Sequence, residues 1–215
     1  LGWMTNDAAG KGDERKRTLQ QVRTEMAAVL TKEFSCWYPN ALDTVYGGFL
    51  SDFNYQWKPD GSQQKMIVTQ ARHVWSASNA AMFYQKDNSF KNIAQHGIRF
   101  LRSTMWDSVY GGFYNLVSRE GKPIEQSGTS SKTAYGNAFA IYGLATYFWA
   151  SHDTTALRFA QRAFRWLEEH SYDSLYGGYF QFLSREGKPY INGYGVAPPK
   201  DYNSTIHLLE AYTEL

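Results

Sequence analysis

Three lysines, Lys65, Lys132 and Lys200, stand 67 and 68 residues apart, and each opens a helix-like run. Seven residues beyond them lie Arg72, Phe139 and His207, and three residues beyond them lie Val68, Tyr135 and Asn203. Positions four apart share a helix face, so Arg72, Tyr135, Asn203 and His207 are expected to project from equivalent levels of three neighbouring helices toward one axis. A guanidinium fixed in a water-poor cavity stabilises anionic oxygen far better than solvent does. Imidazole is the side chain suited to exchange protons near neutral pH. In an apolar bundle both are costly unless they are neutralised or used.

Each of these residues also has a purely structural reading. Arg72 would then pair with a carboxylate such as Asp43 or Glu210, and His207 would be a core histidine oriented by Glu210 one turn later. Tyr135 would be aromatic core, and Asn203 would serve a helix start. That a guanidinium and an imidazole occupy the same repeat position weighs against both being structural. The other histidines, His73, His96, His152 and His170, fall off this axis and read as packing or surface residues. No glycine-rich phosphate loop, Cys/His ligand set or Ser-His-Asp pattern is present, and neither a metal nor a cofactor is called for.

The elements that would position these groups are repeated. The word Asp43-Thr-Val-Tyr46-Gly47-Gly48-Phe49 recurs from Asp107 to Phe113 and from Asp173 to Tyr179, at spacings of 64 and 66 residues. Repeats of this length imply a stacked or toroidal architecture. Beyond each word lies a polar turn, Lys58-Pro-Asp-Gly61, Arg119 to Pro123 or Arg185 to Pro189, which reads as a short β-hairpin. The run from Thr133 to Ala150 is apolar nearly all round and must be an inner helix; Met66 to Tyr84 and Asp201 to Leu215 occupy the same slot. Thr18 to Thr31, Asn88 to Thr104 and Asp153 to His170 carry apolar stripes and read as outer helices with one wet face. In the first of these the stripe is Leu19, Val22, Met26 and Val29.

One repeat is therefore an outer helix, the word, a hairpin and an inner helix. The predicted fold is all-α: an (α/α)6 toroid or barrel of helical hairpins with short β-hairpin excursions, of which this chain supplies about three of six hairpins. Residues 1–17 are expected to be a polar N-terminal tail, and residues 18–215 the N-terminal part of a single, truncated barrel domain.

The composition is that of a globular protein: 215 residues, 43% apolar and 17% aromatic. A net charge of +2 with scattered Lys and Arg leaves no footprint for nucleic acid or an anionic membrane. The lone Cys36 reads as a small apolar residue. No secretion signal or membrane-spanning stretch is evident, so a cytoplasmic monomer or weak dimer is expected.

The inner-helix motifs resemble those of the N-acylglucosamine 2-epimerase superfamily, and most closely its cellobiose 2-epimerase branch. They are Lys65-x4-Gln70-Ala71-Arg72-x2-Trp75, Lys132-x2-Tyr135-x2-Ala138-Phe139, and Lys200-x2-Asn203-x3-His207-Leu-Leu-Glu210. The likeness runs from about Glu33 to the end and covers the first half of a family enzyme. It implies a cofactor-independent epimerase or isomerase acting at C2 of a reducing mono- or disaccharide. It further implies that Arg72 holds the O1/O2 region of the sugar, that Tyr135 and Asn203 contact substrate, and that His207 assists ring opening. Trp75 and Glu210 complete the expected substrate-binding set. Family members take the histidines that exchange the C2 proton from later inner helices. The branch often carries a second histidine where this chain has Thr205, so mannose or glucose stands beside cellobiose as an expected substrate. The competing readings are a helical-repeat module that binds sugar or protein without catalysis, and an (α/α)6 glycoside hydrolase, which would need two axial carboxylates.

Overall fold

The computed structural model describes residues 17–85, 88–124 and 131–215; the expected tail therefore lies almost wholly outside the described residues. The chain divides into two compact units, Leu1–Pro39 and Asn40–Leu215. In the first, α1 (Leu19–Trp37) starts with a capping box in which Thr18 and Gln21 satisfy each other's backbone amides. It runs six residues past Thr31. Its stripe of Leu19, Val22, Met26 and Val29 is exposed, contrary to the dry face that its periodicity suggested.

The second unit contains β1 (Lys65–Met66), α2 (Ile67–Phe83), α3 (Ser89–Phe100), β2 (Leu116–Val117), β3 (Lys132–Thr133), α4 (Ala134–Ser151), α5 (Thr154–His170), β4 (Phe182–Leu183) and α6 (Tyr202–Glu214). Helix α4 packs between α2 and α6, while α3 lies against α2 and α5 against α4. The inner row is therefore α2, α4, α6, as the overlay of the three lysines requires. Close approach in that row depends on Gly143, where a Cβ would stand 2.9 Å from the Ala71 carbonyl oxygen. Thr133, Asp153 and Asp201 cap α4, α5 and α6 by accepting backbone amides of Gly136, Thr155 and Ser204. Helix α3 passes into a π-helical turn, Leu101–Met105, which no periodicity in the sequence announces.

The three words form the same turn. The Asp43 side chain accepts the amides of Val45 and Tyr46, and its backbone bonds Gly48 and Gly47. Asp107 and Asp173 repeat this. The glycines have positive φ, near 71° at both Gly111 and Gly112, a region costly for any residue with a Cβ.

The lysines are more than helix openers. Lys65 Nζ lies fully buried, 2.9 Å from Asp43 Oδ2, and donates also to the carbonyls of Gly47 and Arg119. Lys132 does the same with Asp107, Gly111 and Arg185. Lys65 and Lys132 also each sit in a two-residue strand that pairs with the hairpin of the following repeat: β1 with β2, and β3 with β4, both antiparallel. Repeats are thus joined by main-chain ladders and by buried ions together.

His73 is buried and stacks on Phe49 at 4.4 Å, and burial lowers its pKa from 6.5 to about 4. Between those values the unfolded chain holds the proton and the folded chain does not, so stability falls as pH drops through this window. The loss should be on the order of 2–3 kcal/mol. Urea midpoints at pH 7 and pH 4.5 will show it: His73→Leu should lose less stability than the native chain over that interval, and equal losses would assign the acid sensitivity elsewhere.

Candidate functional site

Arg72 on α2 and His207 on α6 meet at the same ring. The Arg72 guanidinium carbon lies 5.6 Å from the centroid of Phe139 on α4, and the His207 imidazole lies 4.5 Å from it, tilted by 43°. Tyr135, one turn earlier on α4, presents its ring edgewise to both Phe139 and His207, at 5.0 and 5.2 Å. Four side chains from three inner helices therefore form one cluster, as the lysine register implies.

The alternative pairing of Arg72 with Asp43 or Glu210 does not occur. Asp43 is taken by Lys65 and Arg119, and Glu210 by His207. Among the described residues Arg72 makes no ion pair; it is an exposed cation held against an aromatic face. His207 Nδ1 stands 2.6 Å from Glu210 Oε2. A carboxylate only accepts, so Nδ1 carries a proton, and Nε2 is the nitrogen left to exchange one with a substrate.

Three residues beyond the Arg72, Phe139 and His207 level lies a second one: Trp75, Tyr142 and Glu210. Trp75 is partly exposed, with its ring 5.8 Å from that of Tyr142. Burial pushes the Tyr142 hydroxyl up from its ordinary pKa, so it stays a neutral hydrogen-bonding group at neutral pH. Asn203 is exposed on the first turn of α6 and joins no contact of this cluster. Thr205, two residues before His207, returns its hydroxyl to the Asp201 carbonyl.

Sequence reasoning missed Phe139 and Tyr142 as site residues. Both were reachable, because they lie at lysine + 7 and lysine + 10, the positions of Arg72 and Trp75 in the first repeat. Their apolar and aromatic character made them read as core. The remaining histidines take the structural places expected of them: His96 Nε2 contacts the Gly48 carbonyl, His170 packs on Trp166 and His152 ends α4 in a left-handed conformation.

The model of the N-acylglucosamine 2-epimerase family matches residues 47–212. The chain belongs to that family. The cellobiose 2-epimerase of Ruminococcus albus is 32% identical over 196 residues, which make up 89% of this family member and 49% of that protein. The solved structure of cellobiose 2-epimerase from Spirochaeta thermophila superposes with a TM-score of 0.80 at 30% identity, over 94% of this chain and 50% of the other. A GH76 α-mannanase from Bacteroides thetaiotaomicron shares the fold, with a TM-score of 0.60 at 15% identity over 89% of this chain and 44% of that one. This N-acylglucosamine 2-epimerase family chain thus has the helical-hairpin barrel architecture and spans about half the length of the relatives it matches.

Proposed function

We propose that the chain carries the first part of a sugar 2-epimerase or isomerase, acting at C2 of a reducing aldose or a β-1,4-linked disaccharide. The observation that carries this reading is the convergence of Arg72 and His207 on Phe139, with the imidazole tautomer set by Glu210. Ring opening requires proton movement between the anomeric hydroxyl and the ring oxygen, a task suited to the free Nε2 of His207. Loss of the C2 proton then places negative charge on the O1 and O2 atoms of an enediolate. An uncommitted guanidinium is the group to receive it. Tyr135 and the Trp75–Tyr142 pair offer apolar ring faces on which a sugar stacks, and Asn203 is assigned to a substrate hydroxyl at the rim. Inversion at C2 needs a second acid or base on the opposite face of the sugar, so His207 is assigned the ring-opening proton rather than the whole exchange. The reaction moves protons only and requires no redox cofactor. Likeness to cellobiose 2-epimerases favours a disaccharide, with mannose or an N-acylhexosamine as the other members of the substrate class. A cytoplasmic monomer or weak dimer completes the reading.

Proton NMR of the active enzyme in D2O with cellobiose, mannose and N-acetylmannosamine tests it. Deuterium should appear at C2 of at least one sugar; no exchange with any of the three would refute the assignment and favour a binding module. A glycosidase reading is weaker, because Glu210, the axial carboxylate it would use, is committed to His207.

Glu210 is assigned a positioning role. Glu210→Ala should lower kcat at least about tenfold with KM little changed, a fraction of the roughly 10²–10⁴ that a positioned acid–base group contributes. Glu210→Gln, whose amide oxygen still accepts from Nδ1, should recover much of the loss. Native kcat in the alanine variant would show that Glu210 orients nothing of consequence.

A further inference from the structure

The three Asp-x-x-Tyr-Gly-Gly turns have the same internal geometry but different surroundings. The first two are each covered by the repeat that follows. Arg119 Nε reaches Asp43 Oδ2 at 3.0 Å while its guanidinium lies 5.5 Å from the Tyr46 ring centroid. Arg185 Nε reaches Asp107 Oδ2 at 3.2 Å and lies 5.4 Å from the Tyr110 ring. The carbonyls of the same two arginines take the third donor of Lys65 and Lys132. An aromatic from the following outer helix closes the top: Phe100 touches Gly47 and Gly48, and Trp166 touches Gly111 and Gly112.

Among the described residues the third turn has none of these partners. Lys200 still bonds Asp173 and the Gly177 carbonyl, but its side chain is 31% exposed where Lys65 and Lys132 show 0%. Tyr176 is 84% exposed, against 45% and 42% for Tyr46 and Tyr110. A Cβ on Gly177 would meet nothing within 4 Å, and one on Gly178 would meet only Lys200.

From these differences we infer that the Asp173, Tyr176, Gly177, Gly178 and Lys200 surface is a socket for a further copy of the repeat. The occupant is an outer helix that lays an aromatic ring on Gly177–Gly178, followed by a hairpin whose arginine bonds Asp173, stacks on Tyr176 and gives its carbonyl to Lys200. Its sequence signature is fixed by the two copies on the page. The aromatic stands seven residues before the Asp of its own word, as Phe100 and Trp166 do, and the arginine twelve residues after, as Arg119 and Arg185 do. In the first repeat those positions hold Cys36 and Tyr55, so the pair of aromatic and arginine marks the second and third repeats, whose arginines reach back to the word before. The charge matches as well: an ion pair that is complete twice over in the other repeats has one cationic partner outstanding here. This inference stands on the repeat geometry alone and is independent of the sugar chemistry proposed above.

A tandem chain, in which residues 148–215 are repeated after Leu215 so that the lysine spacing is kept, tests the socket. Amine acylation followed by mass spectrometry reads the reactivity of each lysine. Lys200 should become at least about tenfold less reactive in the tandem chain, approaching Lys65 and Lys132, and Arg185→Ala in the added copy should restore its reactivity. A folded tandem chain whose Lys200 reacts at the original rate would overturn the inference. Folding of the extension is not needed for a second readout. In the unextended chain Lys200 must acylate at least about tenfold faster than Lys65 and Lys132, and equal protection of the three would equally overturn it.

Discussion

Arg72→Ala should reduce kcat by about 10²–10³, the cost of removing one donor aimed at a developing oxyanion, while leaving the fold intact. Both halves follow from the same geometry. The guanidinium is exposed, forms no ion pair among the described residues, and lies against the Phe139 ring, so no buried charge is orphaned by its loss. Arg72→Lys keeps the charge but loses the planar fork and the stacking on Phe139, and should recover only part of the rate. The readout is C2 deuterium incorporation alongside circular dichroism and a urea midpoint. A variant that folds normally and turns over at the native rate would remove Arg72 from the site. One that unfolds would instead make it a structural residue.

The candidate cluster was legible in the sequence because it sits at a repeat register. Once Lys65, Lys132 and Lys200 were aligned, helical periodicity alone placed Arg72 and His207 at one level, and the row α2, α4, α6 delivers that level to a single ring. What sequence could not supply is which groups between them are surface and which are core. Phe139 and Tyr142 look like any aromatics on an apolar helix, and only contact with Arg72, His207 and Trp75 distinguishes them. Asn203 shows the converse: its register is right, but the first turn of α6 leaves it away from the ring cluster. Helices α3 and α5 take the outer positions expected of them, while several helix ends differ from the expected ones. α1 continues to Trp37, and α3 tightens into a π turn, because ends are set by individual hydrogen bonds that a stripe of apolar residues does not encode. The lysines are the most instructive case. A lysine at a helix start reads as solvent-facing, since the cost of burying an ammonium is invisible until its carboxylate is known. Yet the partner was present in the sequence all along, as the one acidic residue common to the three words.

Asp107→Ala should be among the most destabilising single changes in the chain, at about 3–5 kcal/mol, because it removes the carboxylate paired with the buried Lys132 ammonium. The native pair is deeply committed. Burial alone pushes the Asp107 carboxyl up, but the hydrogen bonds from the Val109 amide, Lys132 and the Tyr110 amide outweigh it and hold it well below the usual carboxylate range. Burial likewise pushes the Lys132 ammonium down, and Asp107 opposes that shift. With Asp107 gone, the ammonium keeps the carbonyls of Gly111 and Arg185 and the nearby rings of Tyr114 and Trp166 but loses its paired carboxylate, and the cheapest relief is to release the proton. The depressed lysine then binds fewer protons folded than unfolded, so the variant should gain stability as pH rises from 7 toward 10, a trend the native chain should not share. Asp173→Ala is the internal control. Its partner Lys200 is partly exposed and can be rehydrated, so the loss should be clearly smaller than at Asp107. Replacing the buried pair together, as Asp107→Leu with Lys132→Met, should recover much of the single-variant loss, since two well-packed apolar groups cost less than one stranded charge. Urea unfolding of the native chain and the three variants at pH 7 and pH 9 measures each of these quantities. Equal losses for Asp107→Ala and Asp173→Ala would mean that the buried ions do not hold successive repeats together, and that the short strand ladders and helix packing carry the joint unaided.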